Sequence, residues 1–236
     1  MYTKNTYSRK TGSSVVSARN KVLEELRRLG VRAEKYLDLG CADGSFTIQT
    51  AENVGAHEVC GVDTSMEALN IASSRDVKTF NVDLNNESLP FQDNFFDLIT
   101  AIEVIEHLTD TDHLLLESYR CLRRDGYFVI TTPNLASWVN RILLLLGYIP
   151  GMYEVSFKYR VGKPFNNKQP FHASGHLRLY TLKALVDHLE IYGFKIISRR
   201  GTPLANNQGF MGLLDRAIYL INAYGLLSEL IIVAKK

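Results

Sequence analysis

Residues 36–47 read YLDLGCADGSFT, a strand-like apolar run followed by an acid, a glycine, a second acid and a second glycine within a few positions. Such an ending is either a tight turn or the mouth of a small-molecule site. Gly40 and Gly44 let the backbone turn sharply and let a ligand approach the main chain, which a side chain would hinder. Asp38 and Asp43 put carboxylates at the same edge, and two anions facing a pyrophosphate would repel it. Ala42 stands where the Gly-x-Gly-x-x-Gly dinucleotide fingerprint needs its second glycine, and no third glycine follows in register. A ligand with a cationic or ammonium end suits the loop better.

Outward from this loop, apolar runs alternate with helical periodicity, which points to βαβ units around a largely parallel sheet. Seven strands are expected near 35–39, 58–62, 78–82, 95–102, 126–131, 194–199 and 230–234. Helices are expected at 14–29, 45–54, 65–73, 111–123, 181–191 and 209–223. Ser45 and Ser65 suit N-caps, and Gly126 and Gly193 lie where helices should have stopped. Leu182, Leu185, Val186 and Leu189 fall at i, i+3, i+4 and i+7 behind a capping Thr181, a stripe that should face the sheet. Phe210, Leu213, Leu214, Ala217, Ile218 and Ile221 repeat that spacing in the last helix.

In an open α/β sheet, ligands sit outside the C-terminal ends of the strands. "VCGVDTS" ends the second strand with Asp63, about 20 residues on, where an acid typically grips the ribose hydroxyls of an adenosine. "FNVDLNN" ends the third with Asp83, able to accept from an exocyclic adenine amine. The competing readings are a helix cap for Asp63, turn chemistry for Asp83 and a hydrogen bond within the loop for Asp38.

Composition narrows the partners. Lys and Arg number 27 against 25 Asp and Glu, a net charge of +2, with no basic stripe for nucleic acid in the 236 residues. Cys41, Cys60 and Cys121 are far apart and include no Cys-x-x-Cys pair, so neither a zinc site nor a disulfide framework is indicated, and no metal site is expected. A reducing, cytoplasmic location is the expectation. The N-terminal "MYTKNTYSRKTGSS" lacks the apolar core of a secretory leader. "ILLLLGYI" from Ile142 falls short of the ~20 residues that a membrane span needs.

The alternation breaks at 134–175, "NLASWVNRILLLLGYIPGMYEVSFKYRVGKPFNNKQPFHASG", which is helical and apolar first, then irregular and rich in aromatics, Lys, Asn and Pro. A connection this long in a compact domain is usually functional or disordered. The stretch WVNRILLLLGYIPGMY would give an apolar wall for an acceptor, and FKYRVGKP a polar rim with Tyr159, Arg160 and Lys163. The leucines at 142–146 are expected in the core ahead of a lid or a peripheral membrane contact.

Taken together, "YLDLGCADGSFT", "VCGVDTS", "NVDLNNESLPFQDNFFDLITAIEVIEHL" and "DGYFVITTPN" resemble class I S-adenosylmethionine-dependent methyltransferases, strongly over 33–134 and more weakly over 176–199. The resemblance implies one Rossmann-like domain: a seven-stranded, mostly parallel sheet with helices on both faces, a helical segment at 1–32 and an insertion at 134–175 after the fifth strand. It implies S-adenosyl-L-methionine as cofactor. The loop Gly40, Cys41, Ala42 to Gly44, with Asp38 beneath it, would lie along the methionine; Asp63 and Thr64 would hold the ribose; Asp83 and the Leu84 backbone would contact adenine; Ile102 and Glu103 would back the methionine end. "EVIEHL" and the later "GHLRLYT" with "GF" look most like small-molecule methyltransferases grouped around ubiquinone and menaquinone biosynthesis.

Methyl transfer from a sulfonium needs an acceptor atom held ~3–3.5 Å from the methyl carbon and water kept out, with no protein nucleophile. A hydroxyl acceptor gains from a base, and His suits neutral pH. His107 lies at the expected edge, and His172 and His176 close the insertion; His107 and His176 are the candidates for the active site. The competing readings are an i, i+4 ion pair of Glu103 with His107 and a solvated loop position for His176. The function expected is methylation of a small-molecule or lipid- or glycan-linked acceptor, at oxygen. Alternatives are a nicotinamide oxidoreductase, or a regulatory module that binds the cofactor without transfer.

Overall fold

The computed structural model describes residues 13–164, 173–203 and 209–236; His172 and the side chain of Phe210 lie outside the described residues. In chain order the elements are α1 (Ser13–Arg28), β1 (Lys35–Leu39), α2 (Ser45–Val54), β2 (Glu58–Asp63), α3 (Met66–Ser73), β3 (Lys78–Asn81), β4 (Phe96–Ile102), α4 (Thr111–Cys121), β5 (Leu122–Pro133), α5 (Trp138–Leu145), α6 (Leu182–Ile191), β6 (Lys195–Thr202), α7 (Gly209–Leu220) and β7 (Glu229–Lys235). Short 3-10 turns stand at Ile105–His107 and Tyr224–Leu226.

The seven strands form one sheet in the order β3-β2-β1-β4-β5-β7-β6. The pairs from β3 through β5 are parallel, while β7 runs antiparallel to both β5 and β6. Strand order reverses between β1 and β4, and the crevice at such a switch point is where an open α/β sheet takes its ligand. β7 slots between β5 and β6, so its first residue, Glu229, pairs with Pro133 and Thr202 at the edge where β1 and β4 end.

Alternation along the strands divides the core into two layers. On one face Leu37, Leu39, Phe128 and Ile130 pack with Leu114 and Leu115 of α4 and Leu185, Val186 and Leu189 of α6. On the other, Tyr36, Leu98 and Val129 pack with Val22 and Leu26 of α1, Phe46 and Val54 of α2 and Ala72 of α3. Each of the Leu, Ile, Val and Phe side chains contributes about 1.5–3 kcal/mol on burial, which is what holds the weakly propensity-driven helices in place.

The ends of the helices follow local chemistry with two departures. Ser65, Asp110, Ser137 and Thr181 cap α3, α4, α5 and α6 through their side chains. Ser45 does not cap: Gly44, at φ 74, takes that place, and the Ser45 N–H goes to Asp43 Oδ1 at 3.1 Å. Gly126 ends no helix but lies inside β5, where an added Cβ would meet Leu122 Cδ1 at 2.8 Å. Gly193 does close α6: at φ 90 it donates to the Glu190 carbonyl while the next N–H, of Phe194, donates to that of Leu189.

Two apolar stripes sit differently from expectation. In α7, Ile218 is buried with Leu214 against it, but Leu213, and Ile221 just past the helix, are 65% and 72% exposed, and the inward face also carries Asp215, which accepts from Trp138 Nε1 of α5. The leucines expected in the core are on the surface, with Leu144, Leu145 and Leu146 at 53%, 86% and 64%. Among the described residues no layer covers α5 there. Among the described residues no helix is long and apolar enough to cross a membrane.

Candidate functional site

The loop after β1 is a succession of left-handed residues, Gly40, Ala42 and Gly44 at φ 74, 48 and 74. It is fastened to the end of β2: the Gly40 and Cys41 N–H groups donate to the Val62 carbonyl at 2.9 and 3.0 Å, and the Ala42 N–H donates to Asp63 Oδ2 at 3.0 Å. The glycines answer to packing as well as to φ. A Cβ on Gly40 would lie 2.6 Å from Val104 Cγ2, and one on Gly44 would lie 2.9 Å from Ala72 Cβ. Cys41 is buried, a neutral thiol against Gly61.

Asp38 is buried beneath the loop and accepts two threonine hydroxyls, Thr47 through Oδ2 and Thr100 through Oδ1, both at 2.6 Å. With Thr100 donating to the carboxylate, Tyr36 OH is the donor in its 2.8 Å bond to Thr100 Oγ1. Burial pushes the Asp38 carboxyl up, and the two hydroxyls and the Arg19 charge oppose that. The alternative of a hydrogen bond within the loop is not what these bonds make: Asp38 ties β1, α2 and β4 together under the loop. Asp43 turns outward to Arg75, 2.8 Å away, which with the Ser45 bonds outweighs burial and lowers its pKa.

Asp63 and Asp83 stand at neighbouring strand ends. Asp63 Oδ1 accepts from the Ser65 N–H at 2.9 Å, and Thr64 beside it is exposed. Asp83 Oδ1 accepts from the Asn85 N–H and Nδ2 at 3.0 and 2.8 Å, the turn chemistry expected as an alternative, while buried Leu84 anchors the turn in the core. The Asn81 amide donates to the Asp63 carbonyl at 3.0 Å, which joins the second and third loops.

At the end of β4, Ile102 is buried and Glu103 takes φ 57, its N–H donating to Thr131 Oγ1 at 3.0 Å and its Oε1 accepting from that hydroxyl at 2.7 Å. Burial raises the Glu103 carboxyl, and Thr131, Glu229 and the Arg19 charge counter it. Glu229 is pushed up to about 9 by burial, the Glu103 charge and its hydrogen bond to Glu103, so it is the protonated partner at neutral pH. Glu106 is also held well above the usual carboxylate range, by burial and then by Glu103. The helical Glu103–His107 ion pair is not formed. Residues 105–107 turn as 3-10, and the nearest carboxylate to His107 Nε2 is Glu106 Oε1 at 3.8 Å.

The structure brings the two candidate imidazoles together, their ring centroids 5.0 Å apart. The Leu177 and Arg178 N–H groups donate to the Glu106 carbonyl at 2.7 and 3.1 Å, which carries His176 to the loop after β4. Burial lowers both imidazoles, and His176 lowers His107 further, so both are neutral at pH 7. Of the expected polar rim, Tyr159 is exposed, but Lys163 is committed inward: its Nζ donates to the Gly151 and Tyr153 carbonyls at 2.8 and 2.7 Å and to that of Pro150.

One residue that the sequence reading passed over belongs here. Arg19 of α1 places its guanidinium 5.2 Å from the Phe46 ring centroid and acts electrostatically on both Asp38 and Glu103, yet its buried Nε has no hydrogen-bond partner. Its signal was an arginine on the same helical face as Val22 and Leu26. A groove of about 1100 Å³ lies elsewhere, between α6, β6 and the turn at 224–226, and contains none of these residues.

The chain matches a family described as methyltransferase domain over residues 16–199. An uncharacterized methyltransferase of Schizosaccharomyces pombe is 32% identical over 117 residues, 45% of this chain and 42% of that protein. A demethylmenaquinone methyltransferase of Lactobacillus johnsonii is 33% identical over 111 residues, 42% of this chain and 44% of that protein. The chain thus spans less than half the length of these relatives. The structure of an S-adenosylmethionine-dependent methyltransferase from Mesorhizobium loti has the same fold, with a TM-score of 0.61 at 18% identity over 94% of this chain and all of that one.

Proposed function

We propose that this chain, which belongs to the class I S-adenosylmethionine-dependent methyltransferase family, methylates a small-molecule or lipid- or glycan-linked acceptor at oxygen. The observation that carries the reading is the convergence of the Gly40–Gly44 loop, Asp63 and Asp83 at adjacent strand ends on one side of the β1/β4 switch point.

The residues suit S-adenosylmethionine. The loop from Gly40 through Cys41 and Ala42 to Gly44 offers main chain to the methionine, over Asp38. Asp63 with Thr64 takes the ribose, Asp83 and the Leu84 backbone take adenine, and Ile102 with Glu103 lies behind the methionine. Arg19, whose buried Nε lacks a partner beside two acids, suits the cofactor's α-carboxylate. Bound there, the cofactor supplies an electrophilic methyl on a sulfonium. The neutral rings of His107 and His176 line the acceptor edge, each with a lone pair that can take a hydroxyl proton.

The region between β5 and α6 supports an apolar acceptor. Leu144 to Leu146 are exposed, and so is Phe157, at 70%, which precedes the exposed cations Lys158 and Arg160. Apolar side chains rimmed by positive charge suit the face of an anionic membrane, where a lipophilic acceptor would be met. One relative named above methylates demethylmenaquinone by its name.

The test is to incubate the protein with S-adenosylmethionine and a panel of phenols, quinol precursors, sugars and amines, with and without anionic vesicles, and to measure S-adenosylhomocysteine. Turnover with an oxygen acceptor is expected. Turnover with amines alone would overturn O-methylation, and tight cofactor binding without turnover on any acceptor would favour a regulatory module.

A further inference from the structure

We propose that Glu106, His107 and His176 form a two-histidine, one-carboxylate site for a divalent transition-metal cation, joining the loop after β4 to the segment at 173–178. One donor atom from each of the three lies within 4.8 Å of the others. The 3.8 Å from Glu106 Oε1 to His107 Nε2 is too long for a hydrogen bond. It is the spacing of two atoms sharing one cation, since bonds of about 2.0–2.2 Å put neighbouring donors roughly 3–4 Å apart.

Each ligand is already turned for the task. His107 Nδ1 faces the Gly175 carbonyl at 3.4 Å and His176 Nδ1 faces the Met152 carbonyl at 3.1 Å. A carbonyl only accepts, so each Nδ1 carries the proton and each Nε2 keeps its lone pair, the outer-shell arrangement that orients metal-binding imidazoles. Glu106 Oε2 accepts from Thr132 Oγ1 at 3.1 Å, while Oε1, fully buried, has no hydrogen-bond partner. A buried carboxylate oxygen left so is costly, and a cation would satisfy it.

The scaffold holds His176 there without help from a metal. Besides the two bonds to the Glu106 carbonyl, Glu154 accepts the Ser174 and Gly175 N–H groups at 2.8 and 3.0 Å. Two imidazoles and one carboxylate are ligands of middling softness, suited to Zn²⁺, Fe²⁺, Co²⁺ or Mn²⁺. Three protein ligands leave a coordination position open, on the side where the His107 ring is 41% exposed. There an acceptor oxygen could bind and lose its proton to solvent, since both Nε2 lone pairs are then committed to the cation and neither ring is the base; that step rests on the methyltransferase reading, and the cation site itself does not.

The test strips the full chain with a chelator and titrates it with Co²⁺, followed by visible absorption, and then with Zn²⁺ by calorimetry. One equivalent should bind, with d–d bands of nitrogen and oxygen ligation. Affinity should fall at least tenfold in His176→Ala and in Glu106→Gln and stay unchanged in His113→Ala, whose ring bonds the Glu87 carbonyl. His176 is only half-buried, so its variant is the decisive one if Glu106→Gln fails to fold. Absence of one-equivalent binding below millimolar Co²⁺ or Zn²⁺, or undiminished affinity in His176→Ala, overturns the proposal. S-adenosylhomocysteine calorimetry on the same metal-free protein reads the cofactor site separately, so either site can fail alone.

Discussion

The Asp63 carboxylate holds the Ala42 backbone N–H at 3.0 Å, so the acid that ends β2 shapes the loop that ends β1. A carboxylate oxygen can accept more than one bond, and ribose hydroxyls can share this one. Asp63→Ala is expected to lower S-adenosylmethionine affinity by about 1–3 kcal/mol through lost charged hydrogen bonds. Calorimetry beside a thermal melt reads this, and unchanged affinity would place the ribose elsewhere.

Gly40 is confined twice, by φ 74 and by Val104 Cγ2 at 2.6 Å from where a Cβ would be. Gly40→Ala should cost about 2–5 kcal/mol, the sum of a left-handed alanine and a clash. Gly30, at φ 64 with nothing within 4 Å, isolates the first part. Denaturation midpoints of Gly30→Ala, Gly40→Ala and Gly40→Ala with Val104→Ala should rank with the second lowest. Equal losses at both glycines would contradict the contact.

Glu25 of α1 is buried and accepts from Arg28 at 2.6 and 2.8 Å, from Arg200 at 3.1 Å and from the Ser198 hydroxyl. Burial raises its carboxyl, but those bonds win and bring it down from 4.5 to about 2. A folded pKa below the unfolded one gives stability that is complete above the unfolded value and lost as pH falls through the folded one. Glu25 should therefore contribute roughly 3 kcal/mol at neutral pH, at 1.36 kcal/mol per unit, lost between about pH 5 and 2. Glu25→Gln should flatten that limb of the stability curve; an unaltered limb would assign it to other acids.

Arg19 makes a prediction about the ligand. Arg19→Ala should weaken S-adenosylmethionine at least about tenfold, within the 1.5–3 kcal/mol of a charge-assisted bond, and leave decarboxylated S-adenosylmethionine unaffected. Equal losses for both would mean that Arg19 acts on the acids beneath the loop and not on the carboxylate.

The strands and most helices were legible because their signals are local: period-2 and period-3.6 apolar patterns, Thr181 before α6, Gly193 after it. The positions of Asp38, Asp63 and Asp83 at strand ends followed from the same patterns. What escaped depends on partners distant in sequence. Glu229 reaches Glu103 only because β7 inserts between β5 and β6. His107 and His176 were named together as candidates, but the backbone bonds to the Glu106 carbonyl that bring His176 to His107 are announced by no spacing. Leu144 to Leu146 read as core by composition, yet nothing described packs over them. Among the described side chains of the α7 stripe only Leu214 and Ile218 turn inward, beside Asp215 and its bond to Trp138.

A nucleoside site built from the Gly40–Gly44 loop and Asp63 for a sulfonium cofactor is tested by calorimetry of the full chain against S-adenosylmethionine and NAD. One equivalent of S-adenosylmethionine is expected to bind with micromolar affinity, and NAD is expected to give no heat. Tight NAD binding with no response to S-adenosylmethionine would contradict it.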